Sequence, residues 1–214
     1  MLVGKRMTRN PITARPEDSV TDVRELMRRE KVTHLPVLDR QKRLVGILTE
    51  KDLVRVSPSP ATTLSIWEIN ALLSKLKVDQ VMTREVITAV PEMPIEDAAR
   101  IMADKDIGCL PVVESGRLVG IITESDLFKL FVELFGARQK GLRLTLLIPE
   151  KRGELAELTS AISRQGGNII AIGTFLGEDA ESGVCTMKVE GIGRDALTAL
   201  VEPLVLKVVD VRET

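Results

Sequence analysis

The chain has 214 residues, which suits two or three small domains. Hydrophobic residues make up 44% of it and charged residues 29%, as in ordinary globular proteins with buried cores. The formal net charge of −1 provides no overall positive field, which argues against binding to nucleic acid or anionic membranes. No apolar stretch approaches the roughly 20 residues that span a bilayer, and no long apolar run opens the sequence. We therefore expect a cytoplasmic protein.

Two copies of one pattern fill the first part of the chain. The first contains RMTRNPITARPEDSV and LPVLDRQKRLVGILTEKDL, and the second contains VMTREVITAVPEMPI and LPVVESGRLVGIITESDL. Met7 matches Met82 at a separation of 75 positions, and one deletion in the later turn brings Asp52 onto Asp126. This duplication predicts two similar domains, at 1–60 and 78–136.

Each copy predicts the element order β-α-β-β-α. A short strand ends before a proline, an amphipathic helix follows, and a Leu-Pro-Val strand comes next. A polar turn then leads to a nearly continuous apolar strand of the buried kind and a second helix. The predicted first strands are Ile12–Ala14 and Ile87–Ala89, the first helices start after Ser19 and at Pro94, the apolar strands are Leu44–Leu48 and Leu118–Ile122, and the second helices open at Thr49 and Thr123.

A linker helix is predicted at 61–77, within a segment, 57–78, that begins with the turn-rich sequence SPSPATT. Apolar residues fall there on one helical stripe, at Ile66, Ile69, Leu72, Leu73 and Leu76. Such a helix would pack either on the second copy or on a partner chain.

The tail, 142–214, follows a different pattern. Strands are expected at Leu142–Ile148, Ile169–Leu176, Val184–Val189 and Val205–Val211, with helices from about Gly153 and over Asp195–Val201. The resulting order β-α-β-β-α-β is the ferredoxin-like arrangement. The whole chain is therefore expected to be of the α+β class.

The sequence Gly-h-h-Thr-x-x-Asp, where h is apolar, opens the second helix of each copy. Thr49 with Asp52, and Thr123 with Asp126, fit a capping box that only terminates a helix. The same parts also suit a nucleotide, because a helix N-terminus attracts phosphate and a carboxylate can accept the hydroxyls of a ribose. The preceding glycine would let a ligand approach the strand closely, and apolar strand edges could hold a purine. The motif alone does not choose between these interpretations.

With its h-x-T, LPV and G-h-h-T-x-x-D motifs, the repeated unit resembles a CBS domain, and the pair resembles a Bateman module. The resemblance covers about residues 1–135 and implies adenosine-containing ligands such as AMP, ADP, ATP, NAD or S-adenosylmethionine in the clefts between repeats. It places the ribose at Asp52 and Asp126 and the phosphates near Thr49 and Thr123. The remaining implied binding residues are Thr13, Thr88, Val32, Thr33, Ile107, Gly108, Ile47 and Ile121, with His34 and Cys109 where some relatives carry a basic residue.

His34 and Cys109 depart from that pattern. Cys109 provides no positive charge and His34 only part of one, so we expect two unequal clefts and a weaker case for triphosphate binding. An ordinary half-buried residue before a strand explains His34 equally well. Cys109 and Cys185 each stand alone in apolar runs and are expected to be buried free thiols.

The tail resembles an ACT domain, which implies either an amino acid bound at a domain interface or dimerisation alone. The matching residues are Gly153, and Asn168 and Ile169 after the helix; the Asp-x-Pro-Gly sequence frequent in that family is Glu-Lys-Arg-Gly here. The order CBS–CBS–ACT is similar to acetoin-utilisation proteins of the AcuB type, which implies a role in acetoin or related carbon metabolism.

Catalysis is not expected. The chain has one histidine and lacks a Walker-type glycine loop and a GxSxG motif, and neither Thr–Asp pair has a base beside its hydroxyl. We expect no catalytic residues, no cofactor and no metal. The expected partners are an adenosine-type small molecule, an amino acid at the tail, an unidentified regulated protein and a second copy in a homodimer or larger assembly. The rival interpretation is an oligomerisation module without a small-molecule ligand.

Overall fold

A computed structural model describes residues 1–56 and 75–214 and contains two units, Met1–Leu127 and Phe128–Thr214. Most of the predicted linker helix at 61–77 lies outside the described residues. The helices of the described parts are α1 (Val20–Glu30), α2 (Glu50–Arg55), α3 (Ile95–Lys105), α4 (Glu124–Leu134), α5 (Glu154–Arg164) and α6 (Arg194–Val201). The strands are β1 (Thr8–Arg9), β2 (His34–Leu38), β3 (Leu44–Thr49), β4 (Cys109–Glu114), β5 (Arg117–Thr123), β6 (Leu142–Pro149), β7 (Asn168–Leu176), β8 (Ser182–Glu190) and β9 (Lys207–Glu213).

Each repeat of the first unit is built on one antiparallel strand pair, β2–β3 or β4–β5. The register shifts at the same place in both, after Val37 and after Val112. The helix starts agree with the prediction: the Asp22 N–H donates to Ser19 Oγ at 3.1 Å, and Pro94 directly precedes α3. The local signals in the sequence therefore specify most of each repeat.

The prediction of strands at 12–14 and 87–89 was wrong, because the structure has only one parallel bridge in each of these segments. Ala14 pairs with Val37, and Ala89 pairs with Val112. The Ala14 N–H donates to the Pro36 carbonyl and the Leu38 N–H donates to the Ala14 carbonyl. Pro36 has no N–H to continue this ladder toward residue 12, and a proline stands at the matching position of the second repeat.

A short segment at the beginning of each repeat packs on the other repeat. β1 pairs antiparallel with β5, where Thr8 faces Ile121 and Arg9 faces Gly120. In the reverse direction, Thr83 forms an antiparallel bridge with Ile47 of β3. Backbone hydrogen bonds extend both contacts, from Val3 to Met93 and from Val20 to Leu76. The two repeats are thus joined by two segments, residues 3–9 and 76–83, each of which packs on the other repeat. We call them the exchanged segments, and the sequence pattern did not predict them.

The second unit is a four-stranded antiparallel sheet in the order β7-β8-β6-β9, with α5 and α6 between its strands in sequence. Alternate residues of β6 are buried, as a sheet with one covered face requires. Its core contains Leu144, Leu146, Leu158, Ile162, Met187, Leu197 and Val201. This order and topology confirm the predicted ferredoxin-like arrangement and the α+β class.

Candidate functional site

The Thr-x-x-Asp motifs form the predicted caps at the starts of α2 and α4. Asp52 Oδ2 accepts hydrogen bonds from the Thr49 N–H at 2.9 Å and from the Thr49 hydroxyl at 2.7 Å. The Asp52 N–H donates back to Thr49 Oγ1 at 3.3 Å, which completes a capping box. Asp126 Oδ2 accepts the corresponding bonds from Thr123 at 3.1 and 2.8 Å. One oxygen of each carboxylate is thus engaged within its own helix start.

A cleft of about 370 Å³ lies in the first unit and is lined by both repeats. This volume is within the usual range for small-molecule sites. The predicted binding residues that line it are Thr33, His34, Ile47, Thr49, Asp52, Ile107, Gly108 and Cys109. The cap of the first repeat therefore faces the residues that precede β4 in the second.

The other predicted residues are not among the lining residues of this cleft. Val32 packs against the core of the first repeat, and Ile121 packs with Ile47 and Cys109. Thr88 is exposed. Asp126 Oδ2 accepts hydrogen bonds from the Thr123 N–H and hydroxyl, and Thr13 precedes the Ala14 bridge.

One wall of the cleft is apolar. Ile47 and Cys109 are buried, and Val86 packs against them. Burial, and to a smaller extent the nearby Glu124 carboxylate, raise the pKa of the Cys109 thiol to about 12. Cys109 is therefore a neutral thiol at physiological pH, and this wall can take the face of an aromatic ring.

Polar residues from both repeats meet at His34. The Thr33 hydroxyl and His34 Nδ1 are hydrogen-bonded at 2.9 Å. A Cβ at Gly108 would lie 3.0 Å from His34 Nε2 and 3.3 Å from Glu124 Oε2, so all three residues meet closely. Burial lowers the pKa of His34 below its usual 6.5, although Glu124 opposes this effect. His34 is thus mainly neutral at pH 7.

Sequence reasoning missed several lining residues, most of them charged. They are Glu50, Lys51, Arg55, Thr83, Glu85, Val86, Ile87, Asp106, Pro111 and Glu124. Two had a signal, since Glu50 and Glu124 directly follow the threonines of the motifs. Four others, Thr83, Glu85, Val86 and Ile87, depend on the exchange that brings residues 83–87 against β3.

The glycine of each motif is approached closely by a side chain of the protein, and not by the ligand that the sequence predicted. A Cβ at Gly46 would collide with the Met82 side chain, and a Cβ at Gly120 would collide with Met7. Both methionines belong to the exchanged segments. The two glycines therefore admit methionine side chains, and neither lines the cleft.

In the second unit, the predicted ligand residues do not come together. Gly153 adopts φ 87° directly before α5, whereas Asn168 and Ile169 follow that helix. The 11 residues of α5 separate them by about 16 Å of helix rise. Asn168 Nδ2 donates to Glu190 Oε1 at 2.7 Å.

No described helix is both long and apolar enough to cross a bilayer. No described group of three or more His, Cys, Asp or Glu side chains could hold a metal ion.

Comparison with known families gives two matches. The CBS domain model matches residues 3–59 and 78–133, which together exceed half of the chain. The TTHA0829-like ACT domain model matches residues 140–212. Both resemblances predicted from the sequence are thereby confirmed.

Three solved structures are similar to the chain. One described as an acetoin utilization protein (AcuB) from Vibrio cholerae is 30% identical, covers 64% of this chain and 95% of its own, and has a TM-score of 0.54. The CBS domain pair of protein MJ0100, in complex with 5′-methylthioadenosine and S-adenosyl-L-methionine, is 29% identical over 65% of this chain and 98% of its own, with a TM-score of 0.52. CBSX2 in complex with AMP is 31% identical over 62% and 97%, with a TM-score of 0.53.

Curated relatives differ in how much of them the chain spans. It spans 92% of one relative but only 21–30% of several enzymes, including inosine-5′-monophosphate dehydrogenase and homoserine O-acetyltransferase.

Proposed function

This chain belongs to the CBS-domain family and carries an ACT domain, and we propose that it is a non-catalytic regulatory protein that binds an adenosine-containing ligand in its CBS cleft. The observation that carries the proposal is the cleft itself, in which an apolar wall and the Asp52 carboxylate line one cavity formed by both repeats. A purine can lie against Ile47 and Val86, while Asp52 accepts ribose hydroxyls. Asp52 Oδ2 already accepts two bonds, so Oδ1 is the oxygen for this role.

The ligands of two relatives support the adenosine part of the proposal. AMP is bound in CBSX2, and 5′-methylthioadenosine and S-adenosylmethionine are bound in the MJ0100 pair. These compounds share adenosine and differ in the 5′ substituent. Adenosine is therefore the common element proposed for this chain, from a class that includes AMP, ADP, ATP, NAD and S-adenosylmethionine.

Regulation requires that the ligand bind one arrangement of the protein better than another. The ACT domain supplies a second part for such a response, with an amino acid as its proposed ligand. The similarity to the Vibrio cholerae structure supports a role in acetoin or related carbon metabolism. A strain that lacks the gene should then grow more slowly on acetoin than the complemented strain, and equal growth would remove this part of the proposal.

Calorimetric titration of the full chain tests binding, and the two motifs provide a matched pair of variants. Asp52→Ala and Asp126→Ala remove equivalent hydrogen bonds from the starts of α2 and α4, but only Asp52 lines the described cleft. Wild type and Asp126→Ala should bind adenosine or one of the named nucleotides in this cleft. Asp52→Ala should bind the same compound at least about tenfold more weakly, because it loses one charge-assisted hydrogen bond to the ligand. Absence of binding by the wild type, or equal loss in both variants, would contradict the proposal.

A second candidate function is assembly without a small ligand, and exposed apolar residues of the second unit favour it. Phe128 and Phe131 of α4 are 69% and 57% exposed, and Leu176 of β7 is 97% exposed. Such side chains often mark contacts with other proteins. This function predicts an oligomer in light scattering that is unchanged by nucleotides and by Asp52→Asn and Asp126→Asn. Assembly that responds to a nucleotide would favour the first proposal.

A further inference from the structure

We infer that the cleft selects adenosyl compounds with a neutral or positively charged 5′ substituent over those that carry phosphate, and that Glu124 is a main determinant of this selectivity. The inference rests on the proposed function and specifies the chemical class of its ligand. The favoured class is typified by an adenosyl sulfonium and the disfavoured class by AMP and ATP.

The lining of the cleft carries more carboxylates than cations. Among the described residues that line the cleft, the carboxylates are Glu50, Asp52, Glu85, Asp106 and Glu124, and the cations are Lys51 and Arg55. The guanidinium of Arg55 lies 3.8 Å from Asp52 Oδ1, so part of its charge is already compensated. The cleft therefore presents a net negative field, which repels a phosphate and attracts a cation.

Glu124 lies at the place where the two repeats meet. Its Oε2 lies beside Gly108 together with His34 Nε2, and its charge is felt by both His34 and Cys109. His34 comes from the first repeat, and Cys109 and Glu124 come from the second. A carboxylate thus occupies the place where the two repeats meet, and the neutral imidazole and thiol beside it do not balance its charge.

Several backbone donors at the two helix starts are already used. The Glu50 N–H donates to the Thr33 carbonyl and the Glu124 N–H donates to the Gly108 carbonyl, both at 3.0 Å. The Asp52 N–H donates to Thr49 Oγ1. Phosphate binding at a helix N-terminus depends on unpaired N–H groups of this kind. The same hydrogen bonds do not hinder a ligand without phosphate.

Titration calorimetry with four probes separates adenosine recognition from charge selection. The probes are adenosine, S-adenosylmethionine, S-adenosylhomocysteine and AMP. S-adenosylhomocysteine lacks only the methyl group, and with it the sulfonium charge, of S-adenosylmethionine. We expect S-adenosylmethionine to bind wild type on the order of tenfold more tightly than S-adenosylhomocysteine, and AMP to bind more weakly than adenosine.

Glu124→Gln should reduce the preference for S-adenosylmethionine over AMP by on the order of tenfold or more, because one unit charge is removed from the cleft. Glu96→Gln is the matched control, since Glu96 also lies in the first turn of a helix, α3, but does not line the cleft. This control should leave the preference unchanged. Thermal melts of both variants check that each is folded.

The outcomes distinguish the inference from the function on which it rests. If AMP binds wild type more tightly than S-adenosylmethionine, or if Glu124→Gln changes the preference no more than Glu96→Gln, charge selection is wrong while adenosine binding stands. If none of the four probes binds, the inference fails, and if ADP, ATP and NAD do not bind either, the proposed function fails with it.

Discussion

Gly46→Ala tests why a glycine precedes each Thr-x-x-Asp motif. A Cβ at position 46 would overlap Met82 Sδ and lie 3.0 Å from Met82 Cγ and 3.1 Å from the Thr83 carbonyl oxygen. The Thr83 backbone is fixed there, because its N–H and carbonyl both bond to Ile47 at 2.9 Å. Overpacking of this kind costs about 1–3 kcal/mol, and alanine recovers about 0.5–1 kcal/mol relative to glycine in a strand. The net expectation is a loss of about 1–2 kcal/mol in the free energy of unfolding.

A double-mutant cycle with Met82→Ala isolates this contact. Met82 is buried, so its truncation alone should cost about 2–5 kcal/mol. With Met82 shortened, the Cβ at position 46 has room, and Gly46→Ala should become neutral or slightly stabilising. The coupling free energy, measured by urea unfolding followed by circular dichroism, should therefore be about 1–3 kcal/mol. The corresponding cycle with Gly120 and Met7 provides an independent repeat.

Simple additivity in both cycles would refute the close approach of the exchanged segments. A Gly46→Ala protein of unchanged stability that no longer binds adenosine would instead support the ligand-approach interpretation drawn from the sequence.

Three further predictions concern the caps, the histidine and the thiols. Asp52→Ala and Asp126→Ala should each lower the free energy of unfolding by about 1 kcal/mol in urea titrations, because each removes the carboxylate that accepts hydrogen bonds from the threonine before the helix, and unchanged stability in both would contradict this role. Because burial lowers the pKa of His34, the unfolded chain takes up the proton first as the pH falls, and the contribution of His34 to stability is complete above about pH 6.5 and declines below it. Thermal melts between pH 7.5 and 5.5 should show a smaller decline in stability for His34→Gln than for wild type, and an equal decline would count against a buried neutral imidazole. Burial raises the pKa of Cys109 to about 12 and that of Cys185 to about 11. Neither thiol should therefore react with Ellman's reagent at pH 8 until guanidinium unfolds the protein, and fast reaction of the native chain would show that they are not buried.

Elements with a local cause could be predicted from the sequence. Ser19 caps α1, Thr49 caps α2, and the alternation in β6 matches a sheet with one covered face. The strand predicted at 12–14 failed for a reason that lies elsewhere in the chain. Its partner strand carries Pro36, and a proline removes the donor that the ladder needs. Local β propensity does not reveal which residue a strand will face.

The candidate site shows the same limit more strongly. The motif identified Thr49 and Asp52, but the residues that face them, such as Glu85 and Ile107, come from the second repeat. That combination follows from the exchanged segments, in which Thr83 pairs with Ile47 and Thr8 pairs with Ile121. Two repeats read separately would each be assigned one complete site.

The charge of the cleft follows from this exchange and could not be read from either repeat alone. Within its own repeat, Glu124 is an exposed acidic residue in the first turn of α4, where the helix dipole favours it. Only the contact between repeats brings it to His34 and makes it part of the cleft. A helix-stabilising residue thereby also sets the sign of the field that a ligand meets. If Glu124 had been placed only to stabilise α4, Glu124→Gln would change stability and not the order of ligand affinities, which is the distinction that the calorimetric comparison with Glu96→Gln measures.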